Sequence, residues 1–190
     1  MQGTFNKRLF NIREFIDILN KSTHSIVKYK KEMKLISSTF ETHIMLAVTE
    51  VNGCMLCSYY HTKQALESGI SVEELSMFLT GDLATTNKEE VIAVLFAQHY
   101  ASEHGNFDKD IFKNVIKEYG SDIAYGILGK ITLIMMGNAY GIAYGCLKDR
   151  IKGKRVKGSK FINELMILLG IVPLLPVLLI KNLFSKKHKF

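Results

Sequence analysis

Three residues of this chain, Cys54, Cys57 and His61, have types and spacing that could do chemistry. On an α-helix, where each residue advances by about 100°, Cys57 lies about 60° from Cys54 and His61 projects between them. Two thiols and an imidazole on one helical face can cycle through a reversible disulfide, or they can bind a soft metal ion. The rest of the sequence favours the redox pair.

The pair Asn52-Gly53, directly before Cys54, predicts that one helix ends there and that another begins at the first cysteine. Cysteines in the first turn of a helix lie near unpaired backbone N–H groups, which favour the thiolate. His61 lies one turn after Cys57 and can exchange a proton with its sulfur. We therefore predict that Cys57 is the attacking thiolate and that Cys54 converts a sulfenic acid on Cys57 into a disulfide.

A structural zinc site is one alternative, and such a site needs four ligands. The two cysteines and the histidine supply three at most, so the set would have to be completed from elsewhere in the fold, by Cys146, His43 or His99. A second alternative is a pair of buried thiols with a core histidine. A c-type haem site is excluded because Ser58, not histidine, follows Cys57, and a thioredoxin fold is disfavoured because no predicted strand precedes the pair.

The elements that must position these residues are all predicted to be helices, so the predicted fold class is all-α. Hydroxyl residues with a carboxylate three positions later predict capping boxes at Ser38–Glu41 and Ser71–Glu74. Glycines predict left-handed helix ends at Gly69, Gly81, Gly105 and Gly120. The predicted helices span about residues 5–19, 22–35, 38–51, 54–68, 71–80, 86–104, 108–119 and 121–150, and the glycines at 126, 129, 137, 141 and 145 predict close helix packing.

The length and composition of the chain predict one main folded domain in a reducing compartment. The chain has 190 residues, of which 47% are hydrophobic and 23% charged, as is ordinary for a globular protein. The cysteine count is odd, and the first residues, Met-Gln-Gly-Thr-Phe-Asn, lack the basic and apolar pattern of a secretory signal. We therefore expect a cytoplasmic protein, in which a close cysteine pair is more often catalytic or metal-binding than structural.

The net charge of +7 is confined to the C-terminal part of the chain. Residues 1–150 contain 16 Lys and Arg against 17 Asp and Glu, a net charge of −1, whereas residues 151–190 contain 9 against 1, a net charge of +8. A basic groove for phosphates is therefore not expected in the folded body, and we predict no nucleic-acid partner.

The chain changes character after residue 150. Residues 151–160 contain five basic residues and two glycines, and they are predicted to form a linker. Residues 165–180 are an apolar run of 16 residues that Pro173 and Pro176 are expected to interrupt, with lysines on both sides. We predict that the tail, residues 161–190, associates with the cytoplasmic face of a membrane. The alternative is a tail helix buried in an oligomer or against the body.

The stretch 46–61, Leu-Ala-Val-Thr-Glu-Val-Asn-Gly-Cys-Met-Leu-Cys-Ser-Tyr-Tyr-His, followed by Ala-Leu-Glu-Ser-Gly at 65–69, resembles the core of the alkylhydroperoxidase D-like, carboxymuconolactone decarboxylase family. Helix, Asn-Gly, Cys-x-x-Cys-x-x-x-His, small residue and glycine follow in the order of that family. A later helix with Asn138 resembles the downstream helix of the family. The resemblance covers about residues 38–148.

The resemblance implies an all-helical domain that assembles into trimers or hexamers and reduces hydroperoxides at the paired cysteines. We predict no cofactor and no metal. It implies that Cys57 becomes the sulfenic acid, that Cys54 closes the disulfide and that His61 moves protons. It also implies a thiol reductant such as a lipoylated or thioredoxin-like protein. The branch of the family that decarboxylates or isomerises lactones usually lacks the cysteine pair.

One position departs from the family. The family usually has a glutamate 12 positions before the first cysteine, and Thr42 stands there in this chain. The neighbouring Glu41 is expected to belong to the capping box of its helix. Glu50 is therefore a candidate substitute in the proton relay with His61, although a solvated charge on the helix surface is the more common role of such a residue.

These observations predict a homo-oligomeric, thiol-dependent peroxidase or disulfide oxidoreductase. The predicted site consists of Cys57, Cys54, His61 and Glu50. The predicted organisation is a helical extension at 1–37, a core at 38–150, the linker at 151–160 and the apolar tail at 161–190. Two other functions remain open, a cofactorless decarboxylase or isomerase of the same family and a zinc-stabilised scaffold.

Overall fold

The computed structural model describes residues 8–67, 69–71, 75, 89–154 and 156–186. These residues form helices and no strand, which confirms the predicted all-α fold class. The helices are α1 (Ile12–Lys28), α2 (Lys30–Met33), α3 (Ser38–Asn52), α4 (Met55–Glu67), α5 (Val91–Ser102), α6 (Lys109–Ile151) and α7 (Phe161–Phe184). The predicted helix at 71–80 and its capping box fall largely outside the described residues.

Helix α1 is continuous where the sequence predicted a break near residues 20 and 21. It begins at Asn11, whose side chain accepts a hydrogen bond from the backbone N–H of Glu14 at 2.9 Å. Ser22 and Thr23 lie inside this helix, and their hydroxyls donate to the carbonyls of residues 18 and 19, both at 2.9 Å. Two segments predicted at 5–19 and 22–35 are therefore replaced by one long helix and the single turn of α2.

Helix α6 is the centre of the fold, since it contacts every other described helix. Its core-facing residues, among them Ile127, Ile131 and Met135, are fully or almost fully buried. The helix is broken at Gly120, where φ is 76° and ψ is 162°, which confirms the predicted helix end at that residue. Left-handed φ values at Gly69 and Gly105 confirm two more predicted ends, whereas Gly81 lies outside the described residues.

Helix α7 belongs to the folded body, because one of its faces packs against α1 and α6. The expected interruption at Pro173 and Pro176 is wrong, since the helix continues through both residues. Each proline removes the hydrogen bond to the carbonyl four positions earlier, at residues 169 and 172. Both of those residues are exposed, so water can replace the lost hydrogen bonds.

Candidate redox site

The junction between α3 and α4 places the first cysteine at the start of a helix, as the sequence predicted. Helix α3 ends at Asn52, and Gly53 follows with a left-handed φ of 65°. The N–H of Gly53 donates to the carbonyl of Thr49 at 2.9 Å and closes the end of α3. Glycine suits this position because an L side chain at positive φ is strained. The turn reverses the chain so that Cys54 directly precedes α4.

The structure brings Cys54 and Cys57 together at the N-terminus of α4. Their sulfurs lie at disulfide distance and their Cα atoms are 5.3 Å apart, within the range that a disulfide bridges without backbone movement. The N–H of Cys57 donates to the sulfur of Cys54 at 3.4 Å, so that Cys54 acts as the N-cap of the helix. The positive end of the helix favours a thiolate on either cysteine.

The two cysteines differ in accessibility. Cys54 is only 1% exposed, whereas Cys57 is partly exposed to solvent. Of the two residues, Cys57 is therefore the one that a substrate from solution can approach. This asymmetry separates a sulfur that reacts with an outside molecule from a sulfur that reacts only with its neighbour.

Helix α6 covers the cysteine pair with its backbone. The carbonyl oxygen of Gly137 lies 3.8 Å from the sulfur of Cys57. A Cβ atom added to Gly141 would lie 3.0 Å from the sulfur of Cys54 and 3.1 Å from that of Cys57. Only a residue without a side chain allows α6 to approach both sulfurs this closely. The sequence predicted that the glycines of α6 allow close packing, but it did not identify the sulfurs as the atoms packed against Gly141.

Asn138 adds a buried amide to the same segment of α6, between Gly137 and Gly141. Its side chain is fully buried, and its Oδ1 accepts a hydrogen bond from the hydroxyl of Thr49 at 3.2 Å. Its Nδ2 has no hydrogen-bond partner among the described residues. A buried N–H donor without a partner costs free energy, so such a group is a candidate for binding an oxygen atom of a substrate.

His61 lies on α4, one turn after Cys57, and is 7% exposed. Burial lowers the pKa of His61, while a hydrogen bond with Gln64 and the negative charge of Glu41 oppose this change. The ring is therefore neutral near pH 7 and able to accept a proton. Among the described residues, its Nδ1 has no hydrogen-bond partner, and no hydrogen bond joins His61 to either sulfur.

Glu41 has a different role from the one predicted. The N-cap of α3 is Ser37, whose hydroxyl accepts from the N–H of Phe40 at 3.3 Å, so the helix begins one residue before the predicted capping box. Glu41 is thereby released from the N3 position, and its carboxylate forms an ion pair with Lys130 of α6. The interpretation that Glu41 is held by a capping box is wrong, and its charge acts on His61 instead.

Glu50 is hydrogen-bonded to the residue of α4 that follows Cys57. Its Oε1 accepts a hydrogen bond from the hydroxyl of Ser58, the residue after Cys57, at 3.0 Å. Burial raises the pKa of Glu50, and the hydrogen bond from Ser58 partly opposes this. Among the described residues, this hydrogen bond joins Glu50 to α4, and no hydrogen bond joins Glu50 to His61.

The two glutamates can be distinguished by their effect on His61. We predict that Glu41→Gln lowers the pKa of His61 further, because the substitution removes a negative charge that stabilises the imidazolium. Glu50→Gln should leave that pKa unchanged and serves as the matched control. A titration of the His61 ring signals by NMR measures both effects. A His61 pKa that responds to Glu50→Gln and not to Glu41→Gln would contradict this assignment.

The described residues contain no cluster of three or more His, Cys, Asp and Glu side chains arranged to hold a metal ion. Two of the candidates for completing a zinc site have other surroundings. His43 pairs with Glu90, with 2.5 Å between Nδ1 and Oε2, and Cys146 is buried beside the loop that precedes α7. The geometry of the described part of the chain thus does not supply the four ligands of a structural zinc site.

Comparison with known proteins gives no family for this chain, because no family model, no curated protein and no solved structure matches it. The chemistry assigned to the site therefore depends on its residues and their geometry.

Proposed function

We propose that this chain is a thiol-dependent peroxidase or disulfide oxidoreductase, with the chemistry of the alkylhydroperoxidase D-like family that its sequence resembles. One observation carries the proposal. Two cysteine sulfurs lie at disulfide distance at the N-terminus of a helix, and of the two residues Cys54 is buried while Cys57 is partly exposed. A buried partner next to an accessible thiolate is the arrangement that a two-cysteine peroxidase needs.

In the first step, the Cys57 thiolate attacks the terminal oxygen of a hydroperoxide. The sulfur–oxygen bond forms and the oxygen–oxygen bond breaks, so that sulfur is oxidised to a sulfenic acid and the peroxide is reduced to an alcohol. His61 is neutral, because burial lowers its pKa. It takes the proton of the Cys57 thiol and delivers it to the departing alkoxide. The unpaired Nδ2 of Asn138 is our candidate for binding an oxygen of the peroxide.

In the second step, the thiol of Cys54 attacks the sulfenic acid on Cys57. The sulfur–sulfur bond forms and the sulfur–oxygen bond breaks. The hydroxyl group of the sulfenic acid leaves with the thiol proton as one water molecule. The Cα atoms are already 5.3 Å apart, so the ring closes without a change in the backbone. An external dithiol then restores both thiols by two successive exchanges. A lipoylated or thioredoxin-like protein is the reductant that we propose.

Exposed apolar side chains around Cys57 support contact with other proteins. Four side chains in the first turns of α4 are more than half exposed: Met55, Leu56, Tyr59 and Tyr60. Exposed apolar groups beside a reactive sulfur suit the docking of a protein reductant. Further exposed apolar side chains on α5 and α6 support the homo-oligomer that we propose: Ile92, Leu95, Tyr140 and Tyr144.

A thiol count after oxidation tests the proposal. Reduced protein in metal-free buffer is treated with a small excess of tert-butyl hydroperoxide, and its thiols are alkylated and counted by mass spectrometry. We expect the loss of two thiols as a disulfide between Cys54 and Cys57, while the buried Cys146 keeps its thiol.

Unchanged thiols would contradict the peroxidase. A decarboxylase or isomerase of the same family would then keep its activity when both Cys54 and Cys57 become serine, and a zinc scaffold would carry stoichiometric metal and unfold with a chelator.

A further inference from the structure

We propose that α7 lies in the plane of an anionic membrane surface and docks the protein there by its outer face, without spanning the bilayer. This outer face consists of exposed apolar side chains that project from one side of the helix: Phe161, Ile162, Leu165, Met166, Leu169, Val172, Val177, Ile180, Leu183 and Phe184. The proposal concerns a different surface from the cysteine pair and does not rest on the redox function.

Helix α7 is apolar on both sides, and only its inner side is explained by the fold. The inner side includes Ile167 and Leu178, which are buried against the body. Both α6 and α7 are long and apolar enough to cross a membrane by length and composition. The apolar window of α6 is 72% buried in the protein, whereas that of α7 is 17% buried. The core therefore accounts for the apolar residues of α6 but not for those of α7.

Both ends of α7 are tied to the body by buried polar groups. Near the start, the carboxylate of Glu164 pairs with Arg150 at 2.9 Å. Near the end, the Nδ2 of Asn182 donates to the hydroxyl of Thr23 at 2.9 Å. These ties hold α7 alongside α1 over its length, so that the body lies beside the helix. A helix that spans a bilayer would have to lose both partners and carry Glu164 and Asn182 into or near the lipid.

The prolines also fit a position at the membrane surface. Pro173 and Pro176 leave the carbonyls of Leu169 and Val172 without their helical partners. Leu169 is 62% exposed and Val172 is 74% exposed. Water in the headgroup region can hydrate such carbonyls, whereas the hydrocarbon core of a bilayer cannot.

The charge around α7 is complementary to anionic lipid. Exposed lysines lie before the helix and near its C-terminal end: Lys152, Lys154, Lys157, Lys160, Lys181 and Lys186. Glu164 is the one acidic residue in the sequence from 151 to 190, and it is buried in its pair with Arg150. An apolar helical face with cationic ends and no exposed acid is the pattern of helices that lie in a membrane interface.

Vesicle flotation with the full chain tests this proposal. The vesicles contain phosphatidylcholine alone or phosphatidylcholine with phosphatidylglycerol, each at low and at high salt. We expect binding to the anionic vesicles at low salt, weaker by about tenfold or more on the neutral ones and at high salt. Bound protein should be released by alkaline carbonate, because a helix in the interface is not held as a spanning helix is.

A substitution on the outer face gives the matched comparison. Val172→Glu should reduce binding to anionic vesicles by about tenfold or more, whereas Leu35→Glu, at an exposed apolar residue outside α7, should keep it. Circular dichroism of both variants checks that the helices persist. Three results would overturn the proposal: no preference for anionic vesicles, resistance to carbonate extraction, or a dimer that Val172→Glu dissociates while vesicle binding stays unchanged.

Discussion

Replacement of Cys57 with serine is expected to abolish hydroperoxide reduction, with a loss of roughly a hundredfold or more in the rate of peroxide consumption. Serine cannot supply the thiolate, and the remaining thiol of Cys54 is only 1% exposed. The rate is measured by mixing reduced protein with tert-butyl hydroperoxide and following the peroxide that remains. Intact mass spectrometry of the same samples should show no oxidised cysteine at position 54.

Cys54→Ser should have a different consequence. Cys57 is still accessible, so one equivalent of peroxide is consumed, but no buried thiol is present to close the disulfide. The sulfenic acid then persists and can be trapped with dimedone. Cys146→Ala serves as the control, since Cys146 is buried beside the loop that precedes α7, and it should change the rate by less than about twofold.

The reverse result would change the assignment of the two sulfurs. Peroxide consumption that survives in Cys57→Ser and disappears in Cys54→Ser would make Cys54 the attacking thiolate. The sulfur of Cys54 accepts the N–H of Cys57 at 3.4 Å, an interaction that would stabilise a thiolate there. The experiment therefore decides between accessibility and hydrogen bonding as the factor that selects the nucleophile.

The parts of the site that could be predicted from sequence are those fixed by neighbouring residues. Asn52 and Gly53 end one helix, and the cysteines that follow are three positions apart, so their meeting on the first turn of α4 depends on local geometry alone. The left-handed glycines at 69, 105 and 120 were predictable for the same reason. Each of these features needs information from only a few adjacent residues.

The parts that could not be predicted depend on contacts between distant residues. Glu41 meets Lys130, which is 89 positions away, and only this contact shows that the carboxylate has left the helix cap. The predicted break near residues 20 and 21 is wrong, and Ser22, which lies inside α1, also donates to the carbonyl of Thr132, 110 positions away, at 2.6 Å. A hydroxyl that bonds to a distant carbonyl is accommodated inside a helix, and the neighbouring residues do not show this contact.

The outcome for α7 shows how an energetic rule depends on its surroundings. Two prolines within a segment of a few residues favour a broken helix, because each removes a backbone hydrogen bond. In this fold the affected carbonyls belong to two exposed residues, Leu169 and Val172, while the opposite side of α7 packs against α1 and α6. Packing along the whole inner side maintains a helix that local preference would interrupt.

The second large effect that we expect is on stability, from Gly126→Ala in α6. A Cβ atom at this position would lie 2.5 Å from the backbone oxygen of Glu32 and 3.0 Å from its carbonyl carbon. Backbone atoms of α2 cannot rotate away as a side chain can, so the two helices must separate. We expect the free energy of unfolding to fall by about 1–3 kcal/mol, as for other overpacked cores. Urea denaturation followed by circular dichroism measures the change.

Two other glycines of the same helix provide controls that separate packing from helix propensity. Among the described residues, a Cβ atom at Gly137 would meet only the Cδ1 of Ile134, at 3.9 Å. Gly137→Ala should therefore stabilise the protein by up to about 1 kcal/mol through its better helix propensity. Gly129→Ala meets the flexible side chain of Met33, at 2.6 Å from its Cγ, and should fall between the other two. Equal effects at all three positions would contradict the steric explanation. The predicted order would show that Gly126 is required for the contact between α6 and α2. Gly141, where a Cβ atom would meet both sulfurs, is the glycine that the redox site requires.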